Sequence, residues 1–171
     1  VIPKLTMMAD FGPLCGYVLK ADAEIIGGNV LGQDALTLTR EFNQLRKLKP
    51  AIRKPVWHGS LSAQVGERLG AERWVQVGRL FLKRMGVKTM EHQYLLVQHH
   101  DKPYEHIHIV LNRISSDGTV WHNHWDGWRS QGVSQGLEEQ FGLRPVNRKT
   151  AGSGAKSRVQ GSVNLATFIS G

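Results

Sequence analysis

The sequence predicts an α+β domain, an antiparallel sheet with helices packed on one face. Three observations predict it. Strand-length apolar runs alternate with segments of helical period. Asp117-Gly118 is a strong hairpin turn signal, so some neighbouring strands run antiparallel. The 171 residues suffice for one domain and not for two. Hydrophobic residues at 40% and charged residues at 21% allow a core and exclude a disordered chain.

The elements follow in order. Leu14-Cys15-Gly16-Tyr17-Val18-Leu19 is an apolar run of strand length, and Ile25-Ile26 leads into a turn-rich patch, Gly27-Gly28-Asn29. Asp34 is placed to cap a helix running to Lys49, with Leu38, Phe42, Leu45 and Leu48 on its apolar stripe and Pro50 as its stop. Pro55 to Ser62 reads as a strand with His58, Ser60 and Ser62 on one face. A helix from Ala71 to Met85 buries Trp74, Val77 and Phe81, and Gly86 sits where a C-terminal cap belongs. Gln93–His99 and His106–Ile114 are adjacent strands joined by a six-residue connection, and Asp117-Gly118 returns the chain through Trp121. A last helix spans Ser130 to Phe141. Residues 1–146 form the domain, and 147–171 are a basic, Gly/Ser-containing tail or linker, or the start of a truncated region.

Charge narrows the partner. Lys and Arg number 22 against 14 Asp and Glu, a formal charge of +8, and a basic domain of this kind seeks a polyanion, with nucleic acid the default. The candidate phosphate contacts are Arg46, Lys47, Lys49, Arg53 and Lys54, from a stretch whose one acid is Glu41, then Arg113, and Arg144, Arg148 and Lys149 from the acid-free end. Cys15, the single cysteine, excludes a disulfide framework and fits a reducing, cytoplasmic compartment. No apolar run approaches the roughly 20 residues that span a bilayer, so no membrane insertion is expected.

The chemistry lies in His99-x-Asp101-x4-His106-x-His108. Strand alternation puts His106 and His108 on one face, about 6–7 Å apart at Cα, and a paired preceding strand brings His99 beside them. Three imidazoles leave open positions on a divalent ion, the arrangement of a catalytic site. Imidazoles alone favour Zn, Ni or Mn over Mg. Asp101 is placed to hold the second ring N–H of a ligating histidine. His122-x-His124 has the same spacing without an upstream His–Asp and reads as non-ligating. Of the three tyrosines, Tyr94 reads as packing, Tyr17 sits in the apolar run, and Tyr104 is nearest the ligands in sequence. On proximity alone Tyr104 ranks first as a nucleophile.

His99 to Arg113 resembles the third motif of plasmid mobilisation relaxases, a branch of the HUH endonucleases named for two histidines around a hydrophobic residue, here Ile107. The segments Ile25–Asn29, Glu41-Phe42, Val56–Ser62, Asp117–Trp121 and Leu137–Leu143 resemble the same family. The resemblance implies a sheet flanked by helices on the RRM/ferredoxin-like palm plan. It also implies a site- and strand-specific DNA transesterase acting on single-stranded DNA at a transfer origin. It implies Tyr17 as nucleophile, Ser62 as the second-motif serine, His99, His106 and His108 as metal ligands, and Mg or Mn as the ion. Accessory mobilisation proteins and the coupling protein of a secretion channel would be partners. The rival readings are a rolling-circle replication initiator or transposase of the same superfamily, and a basic DNA-binding module without catalysis.

Overall fold

The computed structural model describes residues 1–123 and 126–148. Five strands and four helices follow in the order β1 (Ile2–Met8), α1 (Phe11–Val18), β2 (Ala23–Gly28), α2 (Ala35–Arg46), β3 (Val56–Ser62), α3 (Ala71–Arg84), β4 (Tyr94–His99), β5 (His106–Asn112) and α4 (Asp126–Phe141). The strands form one sheet in the order β1-β3-β5-β4-β2, with every neighbouring pair antiparallel. This is the expected α+β class.

Helices cover both faces of the sheet, not one. The central strands β4 and β5 are buried along their whole length, which requires cover on each side. On one face, Trp74, Val77 and Phe81 of α3 and Leu137 of α4 pack on Trp57, Leu96, Ile107 and Ile109. On the other, Phe11, Leu14 and Val18 of α1 and Leu38 and Phe42 of α2 pack on Val56, Leu95, Val97 and Val110.

The run from Leu14 is a helix, not a strand. Its buried residues are Phe11, Leu14, Cys15 and Val18, the i, i+3, i+4, i+7 pattern of one helical face. Starting the window at Leu14 hides that period. Pro13 falls in the first turn, where a missing N–H removes no intrahelical bond. The glycines after Ile26 belong to β2, which bulges between Ile25 and Gly27. Gly28 holds a positive φ of 134°, and a Cβ there would lie 2.4 Å from the Tyr94 carbonyl oxygen. Asp34 caps α2 as expected, accepting from the Thr37 N–H at 2.9 Å. α2 stops at Arg46, three residues early, as the chain tightens into Leu48 N–H to Leu45 carbonyl bonding. α4 begins at Asp126, ahead of Ser130, and the Asp117-Gly118 turn closes a single bridge between Ile114 and Val120.

The connection between β4 and β5 is tied down just before His106. The Glu105 carboxylate accepts from the Leu69 N–H at 2.8 Å, the Gly70 N–H at 3.3 Å and the Trp74 indole at 2.9 Å. Gly70 caps α3 without a side chain, so Glu105 supplies the anion that the helix start favours. Burial alone would raise the Glu105 pKa, but these hydrogen bonds outweigh it and hold it below the usual range. Its carbonyl accepts from Ala63 N–H at 2.9 Å, fixing the loop to the end of β3 as well.

Glu105→Ala should therefore lose about 1–3 kcal/mol, the cost of leaving the Trp74 N–H and the helix start unpaired, read as a lower urea midpoint at unchanged slope. Glu105→Gln should recover part of this. Because the folded carboxyl has the lower pKa, its contribution is present above the unfolded pKa and lost as pH falls through the folded value, so the difference between wild type and Glu105→Ala should shrink on acidification.

Candidate metal centre

His99 pairs directly with His106 across β4 and β5, and His108 follows two residues along the same face. All three are buried, and one nitrogen from each lies within 4.8 Å of the others. The three predicted ligands thus come together.

The second nitrogen of each ring is accounted for differently. His99 Nε2 lies 2.7 Å from the Val18 carbonyl oxygen. That carbonyl is free because it belongs to the last turn of α1. A carbonyl only accepts, so Nε2 carries the proton and Nδ1 keeps a lone pair. His99 Nδ1 and His106 Nδ1 are both buried with no hydrogen-bond partner. His108 Nδ1 is 2.8 Å from His58 Nε2, which leaves its own Nε2 for a ligand. Asp101 stands behind His106, with Oδ1 3.5 Å from Nε2, and is shared with Lys20, whose Nζ is 2.6 Å from Oδ2. The orienting role expected of Asp101 alone is divided among Val18, His58 and Asp101.

Buried lone pairs without partners are costly, and their convergence fits a cation. Burial lowers the pKa of His106, and burial with the neighbouring imidazoles takes His108 down to about 3. Burial, then His99, lowers His58. His106 and His108 are neutral at neutral pH, the state a metal ligand requires. The Lys20 hydrogen bond holds Asp101 at about 2.

Tyr17 stands over the cluster on α1, 51% exposed. Its ring centroid is 5.6 Å from that of His108 and 6.2 Å from those of His58 and His99. Lys20 Nζ lies 5.4 Å from the Tyr17 centroid. Tyr104 approaches one candidate ligand, His106, at 5.7 Å. Tyr94 is buried, its hydroxyl accepting from Arg79 Nε at 3.0 Å. Ser62 and Ser60 pair in register with His106 and His108. Sequence alternation placed His58 on this face but not against His108. Lys20 was missed; it lies just past the end of α1 and joins the site through Asp101.

The predicted basic residues do not gather here. Arg46, Lys47, Lys49, Arg53 and Lys54 precede β3, whose opposite end carries the histidine neighbours, and Arg46 pairs with Asp10 at 2.7 Å. Arg113, expected as a phosphate contact, is instead buried, donating to the Trp121 carbonyl at 3.1 Å and the Lys54 carbonyl at 2.6 Å. Arg144 is exposed and donates to the Val65 carbonyl at 2.7 Å, while Arg148 pairs with Glu138 at 2.7 Å. His122 is exposed, and Trp121 is core packing with its indole on the Met85 carbonyl at 3.2 Å. His124, Trp125 and the tail from Lys149 onward lie outside the described residues.

A five-stranded antiparallel sheet whose central strand carries histidines around Ile107, with a third histidine opposite and an exposed tyrosine above, defines a nuclease domain of the HUH type. Residues 17–143 match the family model described as relaxase, MobA/VirD2-like, nuclease domain. The chain belongs to this family. No curated protein matches the chain. Among the described residues no helix is long and apolar enough to cross a membrane.

His106→Ala and His108→Ala should each abolish Mn²⁺ binding measured by calorimetry, because each removes one of three ligands. His58→Ala should weaken it about 10–100-fold by releasing the His108 ring. His122→Ala should bind as wild type does; a loss there matching the His106→Ala loss would move the site.

Proposed function

We propose that this domain is a site- and strand-specific DNA transesterase that nicks one strand of a plasmid transfer origin through a 5′-phosphotyrosyl link on Tyr17. The observation that carries the reading is the position of Tyr17: an exposed phenol over three imidazoles, two of them candidate ligands. Tyr104 flanks a single ligand. An ion held by His99, His106 and His108, Mg or Mn by family and Zn or Ni by donor type, would withdraw charge from a non-bridging phosphate oxygen when bound.

The remaining chemistry belongs to the protein's own groups. Tyr17 Oη bonds to phosphorus and loses its proton, while the bond to the 3′-oxygen breaks and that oxygen takes up a proton. The phosphoester is conserved, so the strand can be rejoined. The hydroxyl must lose its proton as it attacks, and Lys20 Nζ, 5.4 Å from the centre of the Tyr17 ring, is the nearby cation. Asp101 orients His106, and Ser62 lies on the strand beside it as a hydrogen-bond donor to phosphate. Arg46, Lys47, Lys49, Arg53, Lys54 and Arg144 supply phosphate contacts away from the centre. Accessory mobilisation proteins and a secretion-channel coupling protein are the protein partners, and the reaction takes place in the cytoplasm.

The test is covalent. Wild type, with Mg²⁺ or Mn²⁺ and single strands covering its own plasmid's transfer origin, should form a denaturant-stable DNA adduct whose peptide maps to Tyr17. Tyr17→Phe should bind the strand and form none, and Tyr104→Phe should still form it. An adduct on Tyr104, or none with any strand, would overturn the assignment. A cut at a replication origin or a transposon end would instead support the initiator or transposase.

A further inference from the structure

We infer that the strip of β1 and β3 beside the centre, Lys4 with Ser60 and Ser62, holds the DNA phosphate adjacent to the scissile one; this rests on the transesterase reading above. The strand register lays out the strip. Lys4 pairs with Ser60 and Ser60 with His108, forming one row across three strands, while Ile2, Ser62 and His106 form the next. Strands lie about 4.8 Å apart, so Lys4 Cα is about 10 Å from that of His108, a gap that its long side chain can largely cover. One phosphate at the histidines leaves its neighbour within reach of this ammonium.

The groups on the strip match a phosphate. α1 and α2 pack on Val56, Leu95, Val97 and Val110 and leave this part of the face open. Lys4 and Thr6 are exposed, and Ser60 and Ser62 are partly so. Among the described residues Lys4 makes no ion pair, and the hydroxyls of Thr6, Ser60 and Ser62 make no hydrogen bond. The strip's residues on β1 and β3 include no carboxylate. Lys20, by contrast, is engaged by Asp101 at 2.6 Å. A free ammonium and adjacent hydroxyls are donors with no acceptor of their own, and phosphate oxygens are acceptors. The strip is continuous with the triad, so a strand seated at one reaches the other. A lysine on an edge strand can also act only to prevent strand pairing, and the experiment separates the two roles.

Binding to a fluorescent oligo(dT) single strand is measured over a salt series. Lys4→Gln should reduce the slope of log affinity against log salt by about 0.7, one phosphate's worth, with Lys4→Arg unchanged and the urea midpoints of all three proteins equal. On a strand whose nick has been mapped, a neutral methylphosphonate at each phosphate in turn should weaken wild type at a position flanking the scissile phosphate and weaken Lys4→Gln less there. An unchanged slope, or equal losses in both proteins at the flanking positions, would reduce Lys4 to an edge guard and overturn the inference. If wild type forms the Tyr17 adduct while the slope is unchanged, this inference fails and the transesterase reading stands. A reduced slope with no adduct from wild type keeps a phosphate site on the strip and sinks the reading.

Discussion

The pairing of His99 with His106 is the constraint on which the site depends. Side chains alternate along a strand, so a register slip of one residue would send His106 and His108 to the opposite face, among Trp74 and Phe81. The register cannot drift, because β4 and β5 are buried on both sides. Ile107, Ile109 and Leu111 would then have to exchange an apolar core for a polar cluster. Hydrophobic burial on the α3 and α4 face thus determines where the imidazoles stand on the other.

The imidazoles are oriented by contacts from separate parts of the chain. The Val18 carbonyl at the end of α1 accepts a hydrogen bond from His99 Nε2–H, β3 supplies His58 to His108, and the β4–β5 loop brings Asp101 to His106. The same α1 carries Tyr17 one residue before the carbonyl that latches it to His99. Helix position and the His99 tautomer are coupled there, since a shift of α1 would release a buried N–H and displace the phenol together. Glu105 does the corresponding work on the loop, joining it to the start of α3. The local cost of orphaned imidazole nitrogens is therefore sustained by the whole fold, as expected where a site is built to receive a cation.

Electrostatics divide the sheet face. Near α1 and α2 it is apolar, and beyond them it carries His58, Ser60, Ser62, Lys4 and Thr6. The run from Arg46 to Lys54 precedes β3, whose other end carries Ser60 and Ser62 beside His108 and His106. The net charge of +8 is thus not concentrated at the centre. It provides long-range attraction for a polyanion, while close contact at the centre depends on a few donors.

The histidine motif, the helices at Asp34 and Ala71 and the strands at Val56, Tyr94 and His106 were legible because each is a local pattern: a period, a cap or a spacing. α1 was equally local but began outside the window, and its strand-like half obscured its helical face. What no sequence pattern could decide was the non-local part. β1 and β2 pair with strands about fifty residues away or more, and both their positions at the edges and the second helical layer follow from that pairing. Arg113 looked like a surface cation and proved to be an interior brace, because its carbonyl partners are set by chain crossings and not by its neighbours. Local periodicity determined most of the elements and the candidate ligand set. Tertiary packing alone decided that Tyr17, Lys20 and His58 stand beside the three histidines, since contacts between residues remote in sequence are selected by burial of the whole core.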